Sequence, residues 1–168
     1  MAIDIAKLRA LESHREAVKR HTLMVVDDEP LIVESMAMML EEDYQVIQAD
    51  CGETALNLLR EGGVAECLAM IISDQRMPGM SGVDLLREAA SCAPRTIRMM
   101  VSGHMDFADL VAAVNEAQIH FFMSKPVHFE ELLTTIRRGI ALYEKGLEPF
   151  RRIAEMERRL EEGSSPAR

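Results

Sequence analysis

Leu68-Ala69-Met70-Ile71-Ile72 runs apolar without a break, turns polar at Ser73-Asp74 and reaches a bend at Met77-Pro78-Gly79. A short continuous apolar run closed by turn residues is the pattern of a strand buried on both faces. Four more runs lie around it: Leu23–Val26 and Tyr44–Ala49 before, Ile97–Val101 and Ile119–Met123 after. Helix-like segments separate all five, so the chain reads as βαβ units about a parallel sheet. In such a sheet the carboxyl ends of the strands face one crevice, where ligands bind. The residues delivered there are Asp27 and Asp28, Asp74, Ser102 and Lys125. Carboxylates with one lysine suit a hard cation and a phosphoryl group.

The intervening segments carry helical spacing. The first helix is expected to begin near Pro30, which suits a first turn, with acids at its dipole's positive end; Ile32, Val33, Met36, Met39 and Leu40 follow. The next, Gly52 to Arg60, turns Ala55, Leu56 and Leu59 inward and stops at Gly62-Gly63. Helices are then expected over about 82–91, 106–117 and 130–143. Residues 3–20 place Ile5, Leu8, Leu11 and Val18 loosely on one side of a charged segment too polar to be stable alone. Past Tyr143, Gly146 and Pro149 are expected to interrupt the chain. Phe150, Ile153, Met156 and Leu160 then mark an amphipathic helix of about three turns, ahead of a Gly-Ser-Ser-Pro tail. The expected organisation is an N-terminal helical extension over 1–20, one domain over 21–143 and a C-terminal helix with tail over 144–168.

Composition narrows the function. At 168 residues with 48% hydrophobic content the chain suits one buried domain plus extra helix. Thirteen methionines are many, which fits irregular core filling before any special methionine surface. The net charge of −9 argues against direct nucleic-acid binding. The acidic excess lies in the middle of the chain, as a clustered carboxylate site requires. Three widely spaced cysteines, Cys51, Cys67 and Cys92, read as reduced thiols. Without a membrane-length apolar stretch or signal-peptide core, the expectation is a soluble cytoplasmic protein.

Adjacent carboxylates at Asp27 and Asp28 oppose each other's ionisation unless a cation lies between them; magnesium, with several retained waters, fits better than calcium. The same acids could simply favour a helix N-terminus. Asp74 could share the cation and attack an activated phosphoryl group to give an acyl phosphate, or be an ordinary loop acid. Ser102 offers a hydroxyl, common in turns for trivial reasons, and Lys125 a point charge suited to a phosphoryl oxygen.

Val25-Val26-Asp27-Asp28-Glu29-Pro30, Ser73-Asp74-Gln75-Arg76-Met77-Pro78-Gly79-Met80-Ser81-Gly82, Val101-Ser102-Gly103 and Ser124-Lys125-Pro126 together resemble the receiver domains of two-component response regulators. The likeness covers about residues 21–143, with all four motifs in order. It implies a flavodoxin-like (CheY-like), doubly wound parallel sheet of strand order 2-1-3-4-5 with the site at its switch crevice. By that resemblance Asp74 is the phosphoacceptor, supplied by a sensor histidine kinase or phosphotransfer protein. Mg2+ is held by Asp28 directly, by Asp27 mostly through water, by Asp74 and by the main-chain carbonyl of Arg76. Lys125 pairs with a phosphoryl oxygen, with a cis bond to Pro126, and Ser102 hydrogen-bonds the phosphoryl group. Phe122 stands at the family's switch aromatic, against the alternative of a permanently buried strand residue. Arg76 and His104 stand where the family tunes phosphate lifetime, and a slow loss of phosphate is expected.

The output implied is a population shift of the fourth helix, fifth strand and fifth helix, over about 106–143, rather than metabolic catalysis. The expected partner is a second copy, through the fifth helix and the C-terminal helix. Packing of that helix within the chain, or its use as a linker to an output domain of a larger regulator, are the alternatives. Two other classes are weaker. A haloacid-dehalogenase-like phosphohydrolase wants a second aspartate two residues after the nucleophile, where Arg76 stands. A flavodoxin-type carrier wants a Gly- or Ser/Thr-rich phosphate loop after the first strand, where Asp27 to Glu29 would repel phosphate.

Overall fold

The computed structural model describes residues 21–103 and 107–163, without the side chains of 107–110 and 148–163. The expectations for residues 1–20, for His104 and for the tail past Gly163 lie outside the described residues. The strands are β1 (Thr22–Val26), β2 (Gln45–Ala49), β3 (Leu68–Asp74), β4 (Ile97–Ser102) and β5 (Phe121–Ser124). The helices between and after them are α1 (Pro30–Leu40), α2 (Gly52–Arg60), α3 (Gly82–Cys92), α4 (Phe107–Asn115) and α5 (Phe129–Gly163). All pairings are parallel and the order is β2-β1-β3-β4-β5. This is the flavodoxin-like sheet expected, with β1 and β3 adjacent at its centre.

The two-residue period of each strand splits the core. From β1, Met24 and Val26 pack with α2, α3 and α4 on one face, while Leu23 and Val25 pack with α1 and α5 on the other. Both layers are apolar, so β3 is buried at all seven positions and reads in sequence as an unbroken apolar run. It extends two residues past that run. Asp74 still pairs with Val101 of β4, and Ser73 satisfies its hydroxyl by donating to the Asp74 carbonyl at 2.8 Å, so polar side chains do not end the strand.

The edge differs from expectation. β5 begins at Phe121 rather than Ile119 because the chain is still leaving α4. Gln118 sits at φ 48°, and the Ile119 N–H donates to the Ala113 carbonyl at 3.2 Å, before the His120 N–H reaches Arg98 of β4 at 2.8 Å. A one-turn helix at Val64–Cys67, entered through left-handed Gly63 at φ 81°, fills what reads as a plain loop.

The expected break at Gly146 and Pro149 is overturned: α5 is one helix of 35 residues, about 52 Å at 1.5 Å per residue. Pro149 lacks the N–H that would pair with the Lys145 carbonyl, and Gly146 is a weak helix former. The Glu, Leu, Arg, Met and Ala residues on both sides favour helix strongly enough to carry it through. Its first half closes the core with Leu132, Ile136, Ile140 and Tyr143.

Candidate functional site

At the carboxyl ends of β1 and β3 two acids are brought together by the sheet register, since Val26 lies opposite Ser73. Asp27 is 4% exposed and Asp74 7% exposed. Two carboxylates this deeply placed need a counter-charge, and Lys125, one residue past β5, supplies it. Its ammonium donates to Asp27 Oδ2 at 2.9 Å and to Asp74 Oδ1 at 2.7 Å. Burial by itself would lower the Lys125 pKa; the hydrogen bonds to Asp74 and Asp27, and their charges, outweigh it and hold the pKa above the usual lysine value. The ammonium is therefore fully charged at neutral pH.

The remaining carboxylate oxygens are held by main chain. The Glu29 N–H donates to Asp27 Oδ1 at 2.9 Å and the Arg76 N–H to Asp74 Oδ2 at 2.6 Å. The Lys125 N–H donates to the Ser102 carbonyl at 2.9 Å, which fixes the lysine beside the end of β4, and the Lys125–Pro126 bond is cis. Ser102 is buried at the end of β4. Asp28 is exposed at the rim. Arg76 is exposed too, and its main-chain N–H is what reaches Asp74. Phe122 is 41% exposed, so the permanently buried alternative for its ring does not describe this structure.

Asp27, Asp28 and Asp74 are a donor set of the hard-oxygen kind that magnesium takes. Among the described residues, however, no three acidic, histidine or cysteine side chains converge on a point that could hold a metal. The ammonium of Lys125 stands between Asp27 and Asp74 instead. The chemistry of the donors fits the ion, in an arrangement whose present counter-charge is the lysine.

Two supporting residues were not legible as such in the sequence. Gly82 opens α3 where a Cβ would overlap the Asp74 carbonyl oxygen and crowd the Gln75 Cα at 2.9 Å, so only glycine lets the helix approach the end of β3. Gln75, 7% exposed, accepts from the Val83 N–H through Oε1 at 3.0 Å, and its carbonyl accepts from the Gly82 N–H at 3.0 Å. Together they close the loop after Asp74. The only signal was a glycine at a helix start where better helix formers are usual. Ser81, the N-cap of α3, accepts from the Asp84 N–H and donates to its carboxylate, a capping arrangement.

Two acids and a lysine are thus joined at the carboxyl edge of a five-stranded parallel sheet. Residues 23–137 match the response regulator receiver domain family, and this chain belongs to it. It is 34% identical over 122 residues to the hydrogenase transcriptional regulatory protein HoxA of Cupriavidus necator, which covers 73% of this chain and 24% of that protein. It is 30% identical to the response regulator protein TmoT of Ectopseudomonas mendocina, over 80% of this chain and 59% of that one. The chain thus spans from about a quarter to about three-fifths of the length of these relatives. Among solved structures, the receiver domain protein from Methanospirillum hungatei superposes with a TM-score of 0.70 at 27% identity, covering 75% of this chain and 98% of that one. The chain is a receiver domain of two-component signalling, and no helix among the described residues is long and apolar enough to cross a membrane.

Proposed function

We infer that Asp74 accepts a phosphoryl group from a phosphohistidine on a sensor kinase or phosphotransfer protein. The observation that carries this is the Lys125 ammonium shared between Asp27 and Asp74. It sets a cation against the Asp74 carboxylate within a buried rim, beside the oxygens that would arrive with phosphorus. A carboxylate oxygen of Asp74 attacks phosphorus, the new O–P bond forms as the donor's N–P bond breaks, and the departing imidazole nitrogen keeps the electron pair and takes up a proton. Lys125 turns from Asp74 to a phosphoryl oxygen, and the Arg76 N–H holds the carboxyl end in place.

Asp27, Asp28, Asp74 and the Arg76 carbonyl are the groups that would hold Mg2+, which when bound neutralises charge on the transferring phosphoryl oxygens. Buried Ser102 donates its hydroxyl to the phosphoryl group, and exposed Phe122 turns inward as it does. The output is a population shift of α4, β5 and α5. The uninterrupted α5 favours a homodimer through its length, and the greater length of the relatives favours a place for this chain within a larger transcriptional regulator. Arg76, at the rim beside the acyl phosphate, is assigned to slowing its hydrolysis, along with His104. The test is incubation of the chain with acetyl phosphate and Mg2+, followed by intact mass and oligomer size. The wild type gains one phosphoryl group and the Asp74→Asn chain gains none; equal incorporation in both would overturn the assignment.

A further inference from the structure

Between α1 and α5, and opening on the site, lies a cavity of about 430 Å³, within the roughly 300–1,000 Å³ usual for small-molecule sites. Its floor is the sheet itself: Val25 of β1, Ile72 of β3 and Val101 of β4. Its sides include Leu31, Met36 and Met39 of α1 and Phe129 of α5. Leu31 is 76% exposed, Met39 46% and Phe129 40%, so the apolar wall continues out to water as a patch rather than as scattered residues. The thioether side chains make that wall adaptable in shape.

The strand period gives the cavity a direction. Alternate residues of a strand share a face at intervals of about 6.6 Å. The Asp27 N–H still donates to the Ala49 carbonyl of β2 at 3.3 Å, so the period carries through it. Val25 is therefore followed on the floor by Asp27, and Ile72 by Asp74; both acids line the cavity. It runs from an apolar body to a pair of carboxylates. Lys125 is the one basic residue among the described lining, and it is already bonded to both acids. Two carboxylates against one ammonium leave a formal excess of negative charge. The rim adds to it, with Asp28 and Glu29 exposed just past β1 and Glu130 and Glu131 exposed in the first turn of α5. No lysine or arginine occurs from His21 to Leu59 to offset them. An anionic head is repelled from such a mouth and a cationic one is drawn to it.

We propose that the α1–α5 cavity binds a small amphipathic cation, an amine or amidinium on an alkyl or aryl body. The body lies over Val25, Ile72 and Val101, between Leu31 and Phe129. The head donates to the carboxylates of Asp27 and Asp74 beside Lys125. So placed, the ligand covers the approach to Asp74 and slows phosphoryl transfer, which gives the domain a second input. The covering rests on the phosphoacceptor reading above; the binding does not.

The experiment titrates the whole chain, without phosphodonor or metal, with phenylbutylamine, phenylbutanol and phenylbutyrate, which share a body and differ in the charge of the head. Calorimetry should show the amine binding about tenfold tighter than the alcohol, and the acid weaker than either. Amide hydrogen exchange should slow over 31–39 and 127–132 on adding the amine and stay unchanged over 83–92. In Asp74→Asn the amine should fall to about the alcohol's affinity while the alcohol's own is kept. Leu31→Gln/Met39→Gln, both at exposed positions, should weaken amine and alcohol alike by about tenfold, and Val111→Gln/Val114→Gln on α4 should change neither. No binding, equal binding of all three probes, or an amine preference that survives in Asp74→Asn overturns the proposal. An amine affinity that falls as protein concentration rises assigns the groove to a second copy and overturns it too. Acetyl phosphate with Mg2+ then reads the covering: labelling of Asp74 should slow about tenfold with the amine at roughly ten times its dissociation constant. Binding with unchanged labelling overturns the covering, and binding with no labelling even in the amine's absence overturns the phosphoacceptor reading while the site stands.

Discussion

β3 and β5 are both strands of one sheet that end beside the site, yet β3 is buried at every position while β5 has only Met123 fully inside. β3 pairs on both sides, with β1 and β4, and lies under two helical layers. β5 is the sheet edge, pairs with β4 alone, and presents Phe122 to water. β3, which ends in Asp74, is therefore held by the whole core. β5, which leads into Lys125, is lightly held and can change its side-chain arrangement at small cost. Fixed chemistry at the centre and a yielding edge are what a domain needs if a phosphoryl group at one place is to be read at another.

The contrast can be broken most directly in the core. Ile71→Ala, at a fully buried position of β3, is expected to cost about 3 kcal/mol of stability, read from the urea midpoint at constant slope. A cost below about 1 kcal/mol would show that the centre is not tightly packed. Gly82→Ala comes next, because its Cβ meets the backbone of Asp74. A loss of about 2 kcal/mol with slower labelling by acetyl phosphate is expected, and unchanged labelling would remove Gly82 from the positioning of the site. Phe122→Ala should cost under about 1 kcal/mol while altering the phosphorylation-dependent oligomer size. A large stability loss there would mean β5 is held as firmly as β3.

The smallest effect concerns the turn into β5. Burial first, then the nearby Arg98 charge, lowers the His120 pKa, and the Arg98 N–H donates to Nδ1 of the ring. A histidine whose folded pKa is depressed binds fewer protons when folded. Its contribution is thus present above the unfolded value of about 6.5 and is lost as pH falls through the folded one. Part of the ring is solvated, so the effect is modest. His120→Gln should flatten the fall in stability below pH 6.5, and an unchanged slope would place that fall elsewhere.

The same difference governs what the sequence revealed. β1 and β3 stood out because burial on both faces demands unbroken apolar runs, and the polar residues closing them marked the rim. The start of β5 was misread because an edge strand need not be apolar and the chain's reversal at Gln118 leaves no glycine to mark it. Pro149 and Gly146 are the punctuation that usually ends a helix, and only the strong helix formers around them carry α5 through. Lys125 was legible as a charge at a strand end, but its hold on both Asp27 and Asp74 depends on how β1, β3 and β5 converge, which no local pattern encodes. Gly82 was hidden for the same reason, since its role is the backbone it lets approach.

The central claim is that the carboxylate held by Lys125 at the end of β3 is the one that takes phosphorus. Reducing the phosphorylated chain with borohydride converts an acyl phosphate to the corresponding alcohol, which peptide mass spectrometry can place. The reduced residue is expected at Asp74; the mark at Asp27 or Asp28 instead would overturn that assignment.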